Sequence, residues 1–151
     1  MAVARSGRCN VYARLGLMVA PITTAFPKIP DEKKRLNIIA HLRLILSDLG
    51  ANAPDFTPLF IQALKQDSSV FVRLQAAEAL GQFARSPETA VPALADIQDR
   101  EALVRLATLD ALSDFGSNGL PATPRLQQWT KDKDSRVSAK ANALLRKLGT
   151  N

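Results

Sequence analysis

The sequence repeats an apolar pattern about every 33 residues. Counted forward from Val72, the residues at positions 4, 7, 8 and 11 are all apolar, a spacing that places them on one face of a helix. The same register starts at Ile38, Val104 and Val137, with Thr108 as the one polar member. These four anchor residues are 34, 32 and 33 residues apart. A period of this size predicts an all-α solenoid in which helical repeats stack on one another.

Each repeat is predicted to contain a long helix that ends twelve residues past its anchor. The residues at this position are Gly50, Ala84, Gly116 and Gly149. Glycine adopts the left-handed conformation of a helix end with the least strain. A shorter helix that opens near a proline precedes each of the last three anchors, at residues 58–65, 92–98 and 124–130. Asp31 is predicted to be the N-cap of the first long helix, and residues 85–89 are predicted to be an inter-repeat turn.

This unit resembles HEAT repeats, particularly the short bacterial type that is also found in phycobilisome-lyase-like proteins. The shared features are a proline in the first helix, an aspartate in the turn and Val-Arg at the start of the second helix. Copies two and three carry all of them, as Pro58, Asp67, Arg73 and as Pro92, Asp99, Arg105. Copy four carries Pro124 and Asp132, with Ser138 in place of the arginine. The Trp and Tyr positions of tetratricopeptide repeats and the ankyrin TPLH turn are absent.

The resemblance covers residues 31–149 and implies a right-handed α-solenoid of about four HEAT-like helical hairpins. The HEAT-repeat domain is predicted at residues 31–151, with repeats at about 31–52, 53–86, 87–118 and 119–149. In HEAT arrays the turn aspartate and the helix arginine link adjacent turns by hydrogen bonds. This role is carried over to a structural ladder of Asp67, Arg73, Asp99, Arg105 and Asp132. Because Ser138 replaces the arginine of copy four, the ladder is expected to end before the last repeat.

Residues 1–30 differ from the rest of the chain because they contain four basic residues and no acidic one. They are predicted to be either a targeting segment, with export or organelle targeting carried by residues 1–25, or the first helix of repeat one, at residues 11–25. The longest uncharged stretch, residues 15–27, is shorter than the roughly 20 residues of a membrane-spanning helix. Without targeting, a soluble cytoplasmic protein is expected. The single cysteine, Cys9, cannot form an internal disulfide.

The chain contains few groups that could carry out catalysis. His41 is the one histidine, and its position predicts an exposed surface role. One histidine and one cysteine cannot assemble a common zinc site, and no glycine-rich phosphate loop is present. Asp110 and Asp114 lie one helical turn apart and could together bind a cation or a basic peptide. Charged residues on a solvated helix face explain the pair more simply. We therefore expect no enzymatic activity, no metal and no cofactor.

The ends of the stack are predicted from the residues 2, 5 and 9 past each anchor. In copy four these are Ala139, Asn142 and Arg146, a polar set that is typical of a terminal cap. A short, complete array is therefore expected. Trp129 has the apolar phase of the last short helix and is predicted to lie in the core.

Positions 3, 6 and 10 past each anchor are predicted to be the exposed face of the second helices, which line the concave side in HEAT proteins. The candidate partner-binding residues are Gln75, Glu78, Gln82, Asp110, Asp114, Lys140 and Lys147. Their charge is expected to run from acidic in the middle to basic at the C-terminal end. The expected function is a protein-interaction scaffold that binds another protein or a peptide, with no small-molecule substrate.

Two other functions remain open. One is a phycobilin-lyase-like accessory or chaperone protein, which only the resemblance supports. The other is weak nucleic-acid binding through the basic C-terminal end, where residues 121–151 carry a net charge of +5. Glu78, Asp110 and Asp114 on the neighbouring copies would repel phosphate, which argues against nucleic acid as the partner.

Overall fold

Eight α-helices and three short 3-10 helices follow one another along residues 4–150, the part of the chain that the computed structural model describes, with side chains from residue 14 onward. The α-helices are α1 (Ala4–Ala25), α2 (Glu32–Leu49), α3 (Thr57–Gln66), α4 (Val70–Phe83), α5 (Pro87–Ala95), α6 (Ala102–Asp114), α7 (Thr123–Trp129) and α8 (Ser135–Lys147). The 3-10 helices are Phe26–Lys28, Gly50–Asn52 and Gly116–Ala122. No strand occurs within this part of the chain, and the all-α prediction is confirmed.

The helices form two layers of a stack. In the layer of second helices, α4 packs against both α2 and α6, and α6 packs against α8. In the layer of first helices, α3 packs against α1 and α5, and the 3-10 helix Gly116–Ala122 packs against α5 and α7. Each second helix thus contacts its counterpart in the next repeat, which is the nearest-neighbour arrangement of a solenoid.

The core lies between the two layers and contains most of the predicted apolar register, but Ile45 of α2, which was predicted to belong to it, is 37% exposed. Val72, Val104 and Val137 are fully buried, and Ile38 is partly buried against the same cluster. The polar member of the register, Thr108, is also buried, and its Oγ1 donates a hydrogen bond to the carbonyl of Val104 at 2.8 Å. Because this bond satisfies the hydroxyl, Thr108 fits an otherwise apolar position.

Most predicted helix ends agree with the structure. Gly50, Gly116 and Gly149 have φ angles of +52°, +53° and +70°, the left-handed region that favours glycine. Ala84 has φ −64°, so α4 ends in an extended residue instead. The side chain of Asp31 accepts a hydrogen bond from the backbone N–H of Lys34 at 3.3 Å and caps α2 as predicted.

The predicted start of α5 is wrong. The helix begins at Pro87 and not at Pro92, so the predicted turn at residues 85–89 loses its last three residues to the helix. Pro87 occupies the first turn, where its missing N–H costs nothing. The carbonyl of Ser86 accepts hydrogen bonds from the N–H groups of Thr89 and Ala90, which closes that first turn. The other two short helices begin one residue earlier than predicted.

The N-terminal segment is helical in its described part. α1 packs against α3, which in turn packs against α5, and Val19 and Ile22 contact the core. Phe26, which follows α1, is fully buried. The side chain of Cys9 lies outside the described residues. None of the helices described between residues 4 and 150 is long and apolar enough to cross a membrane.

Candidate functional site

Three arginine–aspartate pairs connect successive repeats. The guanidinium Nε and Nη2 of Arg73 donate to the two carboxylate oxygens of Asp99 at 2.6 and 3.1 Å. Arg105 binds Asp132 in the same way, with both distances at 2.8 Å. Such two-pronged pairs are stronger and more directional than single hydrogen bonds. Each pair therefore fixes the turn of one repeat against the second helix of the repeat before it.

Each ladder aspartate also organises the start of its own second helix. Asp99 accepts a hydrogen bond from the backbone N–H of Glu101 at 2.9 Å, and Asp132 accepts one from Asp134 at 2.9 Å. Burial alone would raise the pKa of the Asp132 carboxyl, but the hydrogen bonds from Arg105 and from the backbone hold that pKa below its usual value. The same balance lowers the pKa of Asp99, with Arg73 as the donor. Both carboxylates are therefore stabilised in the ionised form.

The first pair of this ladder was not predicted from the sequence. Arg35 binds Asp67 through two hydrogen bonds of 2.8 and 3.0 Å. Arg35 lies three residues before its anchor, whereas Arg73 and Arg105 each lie one residue after theirs. The difference is four residues, so Arg35 occupies the same helical face one turn earlier. The signal in the sequence is an arginine on the same helical face, one turn closer to the start of the helix.

The expectation that the ladder ends before the last repeat is wrong. Each link is formed by the arginine of one repeat and the aspartate of the next, so Arg105 of repeat three reaches Asp132 of repeat four. Ser138 lacks the guanidinium that a further link would require, but it does not affect the link to Asp132.

The predicted partner-binding residues of repeat two are brought together by Arg43, which projects from α2. Its guanidinium donates to Gln75 Oε1 at 2.5 Å, to Glu78 Oε2 at 3.0 Å and to Gln82 Oε1 at 3.0 Å. Gln75 and Glu78 are half-buried as a result, and Gln82 remains exposed. This network was not predicted, because Arg43 lies on a different face of its own helix from positions 3, 6 and 10.

The residues predicted on repeats three and four also interact with each other. Lys140 Nζ lies 2.5 Å from Asp110 Oδ1, and Lys147 Nζ donates to Ser113 Oγ at 2.8 Å. Asp114 is exposed and makes no ion pair within the described part of the chain. Arg43 pairs with Glu78 and Lys140 pairs with Asp110, so Asp114 is the acidic residue of this surface that has no cationic partner among the described residues. The predicted change from acidic to basic along the surface stays a prediction.

Large apolar side chains are exposed on three of the second helices. They are Leu44 and Ile45 on α2, Phe71 on α4 and Leu103 on α6. The exposure of Phe71 and Leu103 was not predicted. Phe71 is 63% exposed and Leu103 is 50% exposed. Each lies one residue before its anchor and four residues before position 3, so the two occupy equivalent places in neighbouring repeats on the predicted partner-binding face. The signal in the sequence is a large apolar residue four positions before position 3, on the same face as positions 3, 6 and 10. We call Phe71, Leu103 and the seven predicted partner-binding residues the second-helix surface.

The other residues considered for catalysis or metal binding do not come together in a site. The His41 ring is exposed, and its Nδ1 lies 2.7 Å from the Asn37 carbonyl of its own helix. Among the side chains of residues 14–150, no group of three or more His, Cys, Asp or Glu residues is placed to hold a metal ion. Trp129 is 5% exposed and packs in the core as predicted, with the Arg125 guanidinium 5.9 Å from its ring centre.

Comparison with known proteins gives one match. The family model described as HEAT repeats matches residues 23–113, more than half of the chain. No curated protein and no solved structure matches the chain significantly. The matched region runs from the end of α1 to the end of α6 and contains the second-helix residues of repeats one to three.

Proposed function

The chain belongs to the HEAT-repeat family, and on that premise we propose that it is a scaffold that binds another protein or a peptide through its second-helix surface. HEAT repeats are helical protein-interaction scaffolds, and the family is generally not enzymatic. The structure supplies what such a scaffold needs, which is a row of second helices packed side by side with one face open.

The exposure of Phe71 and Leu103 is the observation that carries this proposal. Exposing large apolar side chains to water is unfavourable. Covering them with a partner would gain about 25 cal/mol of free energy for each Å² of apolar surface removed from water. Here two of them occupy the same helical position in adjacent repeats. A few anchor side chains that fill pockets of the partner, aromatic ones above all, supply most of the binding energy of many protein interfaces. Phe71 and Leu103 would contact two apolar side chains of the partner, separated by the distance between adjacent second helices.

The polar part of the second-helix surface would set the orientation of the partner. Gln82 is exposed and its amide can hydrogen-bond a peptide backbone. Asp114 is exposed and carries the acidic charge that is not neutralised by a neighbour. Glu78 and Asp110 already have cationic partners, so they contribute to the rigidity of the surface more than to its charge. We therefore propose a partner segment with two apolar side chains and a basic group near Asp114.

The test is capture of partners by the purified chain, comparing the double substitution Phe71→Ser and Leu103→Ser with the single substitution Leu120→Ser. Leu120 is also an exposed apolar residue, but it lies in the 3-10 helix Gly116–Ala122 and not on a second helix. We expect the double variant to lose at least about tenfold in affinity for the captured partner and the Leu120 variant to bind normally. Equal binding by all three proteins would refute the use of this surface.

We further propose that α1 is the first helix of repeat one and not a removable leader, so that the helical pairs α1–α2, α3–α4, α5–α6 and α7–α8 form the four repeats. The packing of α1 on α3 and the contacts of Val19 and Ile22 with the core support this proposal.

A further inference from the structure

The loops that join first and second helices form three clefts along one edge of the stack, one at each link of the arginine–aspartate ladder. The cleft between repeats one and two contains Arg35 and Asp67, and the next contains Arg73 and Asp99. The third, between repeats three and four, contains Arg105 and Asp132 and has a volume of about 590 Å³. Because the three clefts are equivalent by repeat, their differences show what is particular to each.

The clefts differ in charge. The first has one basic and one acidic residue, for a balance of zero. The second has two basic residues, Lys65 and Arg73, against three acidic ones, for a balance of −1. The third has four basic residues against two acidic ones, Asp99 and Asp132, for a balance of +2. The third cleft is thus the one with excess positive charge.

Three of the four cations of the third cleft are available to a ligand. Arg105 is committed to Asp132, and Asp99 is held by Arg73 from the preceding repeat. The other cations, Arg100, Arg125 and Lys133, make no ion pair within the described part of the chain. Arg100 and Lys133 are exposed, so a ligand need not displace a carboxylate to reach them.

The guanidinium of Arg125 is held in a defined position. Its Nε donates to the carbonyl of Ala95 at 2.5 Å, and its Nη1 donates to Gln128 Oε1 at 2.7 Å. Its central carbon lies 5.9 Å from the centre of the Trp129 ring. A guanidinium that is already ordered loses little side-chain entropy when an anion binds to its remaining N–H groups.

We propose that this cleft, lined by Arg100, Arg125 and Lys133, binds an acidic peptide segment. Guanidinium groups bind carboxylates in the same forked geometry that the ladder already uses three times. The site lies on the loop edge and shares no residue with the second-helix surface, so it goes beyond the proposed function.

The surroundings favour a peptide over a nucleic acid. A nucleic acid needs a continuous basic track, but the neighbouring cleft with Asp67, Asp96 and Asp99 is net negative. Single-stranded nucleic acid also uses exposed aromatic rings for base stacking. The aromatic side chain at this cleft, Trp129, is almost fully buried.

Trp129 provides a local signal, because it is the one tryptophan of the chain. The experiment titrates the full chain with an octaglutamate peptide and with an octaglutamine peptide, following Trp129 fluorescence and, in parallel, the anisotropy of labelled peptide. We compare the double variant Arg100→Ala and Lys133→Ala with the double variant Lys28→Ala and Lys33→Ala. Both variants lose two exposed cations, so their net charges are equal.

We expect saturable octaglutamate binding that the cleft variant weakens at least about tenfold and that the Lys28 and Lys33 variant leaves within about twofold. Octaglutamine should not bind, and added NaCl should weaken octaglutamate binding. Equal weakening by the two variants would show a general charge effect and overturn the proposal. Tighter binding of an octathymidylate oligonucleotide than of octaglutamate, with the same sensitivity to the cleft variant, would also overturn it.

Discussion

Arg105 is the most deeply buried arginine of the ladder, with 6% of its side chain exposed against 8% for Arg35 and 16% for Arg73. Replacing it with alanine leaves the nearly buried carboxylate of Asp132 without its main donor. Breaking one side of a buried pair typically costs 3–5 kcal/mol. Because this pair lies just below the surface, we expect a smaller cost than for a fully buried pair. Arg105→Ala should lower the free energy of unfolding by about 2–3 kcal/mol, as measured by urea denaturation.

The matched control is Arg136→Ala. Arg136 pairs with Asp134 at 2.8 Å, but its side chain is largely exposed. Water screens an exposed pair, so this substitution should leave the urea midpoint nearly unchanged. Equal losses in the two variants would mean that burial does not determine the strength of these pairs.

Gly81 of α4 lies directly against α6. A Cβ added there would lie 2.7 Å from the Cα of Ala111 and 2.8 Å from Asp114 Oδ2. The backbone of α6 would have to move, so Gly81→Ala should destabilise the protein by about 1–3 kcal/mol, as measured by denaturation. Gly16→Ala is the control, because nothing lies within 4 Å of the added carbon. Since Gly16 is inside α1, that variant should be neutral or stabilised by up to about 1 kcal/mol.

At the scale of the helix, α1 has one face in contact with the stack and one face in water. Ile22 packs against the core, whereas Leu17 is 77% exposed. If α1 is the first helix of repeat one, Ile22→Asp should lower the thermal midpoint by several degrees, since about 1 kcal/mol shifts it by 2–8 °C in domains of this size. Leu17→Asp should leave the thermal midpoint unchanged, because the Leu17 side chain is already exposed to water. A removable leader would make both variants as stable as the original chain.

The sequence predicted the helices better than their boundaries, for physical reasons that differ between elements. The second helices were found because five apolar positions per helix define one face, as in the register that starts at Val72. The start of α5 was missed because Pro87 and Pro92 are both compatible with a first turn, and only the hydrogen bonds of Ser86 select the earlier one. A short helix offers too few positions for periodicity to decide this.

The candidate surface was predicted less completely than the fold. Helical register placed Gln82 and Asp114 on an exposed face, and the structure describes both as exposed. It did not predict that Arg43 and Lys140 would neutralise Glu78 and Asp110, because these pairs join different repeats and depend on the offset between packed helices. Register shows which face a residue occupies within its own helix, whereas pairing across repeats requires the stacking geometry.

For the whole molecule, the ladder predicts how stability depends on pH. The pKa values of the Asp99 and Asp132 carboxyls are lowered from the usual 3.8 in the folded chain, so the unfolded chain takes up these protons first as the pH falls. Their contribution to stability is therefore complete above about pH 5 and is lost as the pH falls below about 4 toward the folded-state pKa values. The hydrogen bonds to Asp67 and Asp99 raise the pKa values of Arg35 and Arg73, so these arginines do not titrate in this pH range.

The measurement is the free energy of unfolding at pH 7, 5, 4 and 3 for the original chain, for Asp132→Asn and for Asp48→Asn. Asp48 is an exposed carboxylate on α2 that makes no ion pair among the described side chains. We expect Asp132→Asn to be less stable than the original chain at pH 7 and 5, with the difference shrinking at pH 4 and further at pH 3, because the original chain also loses the charged carboxylate there. The Asp48 variant should follow the original chain at every pH. A difference between Asp132→Asn and the original chain that stays constant down to pH 3 would show that the variant acts by packing alone and that the ladder charge does not contribute.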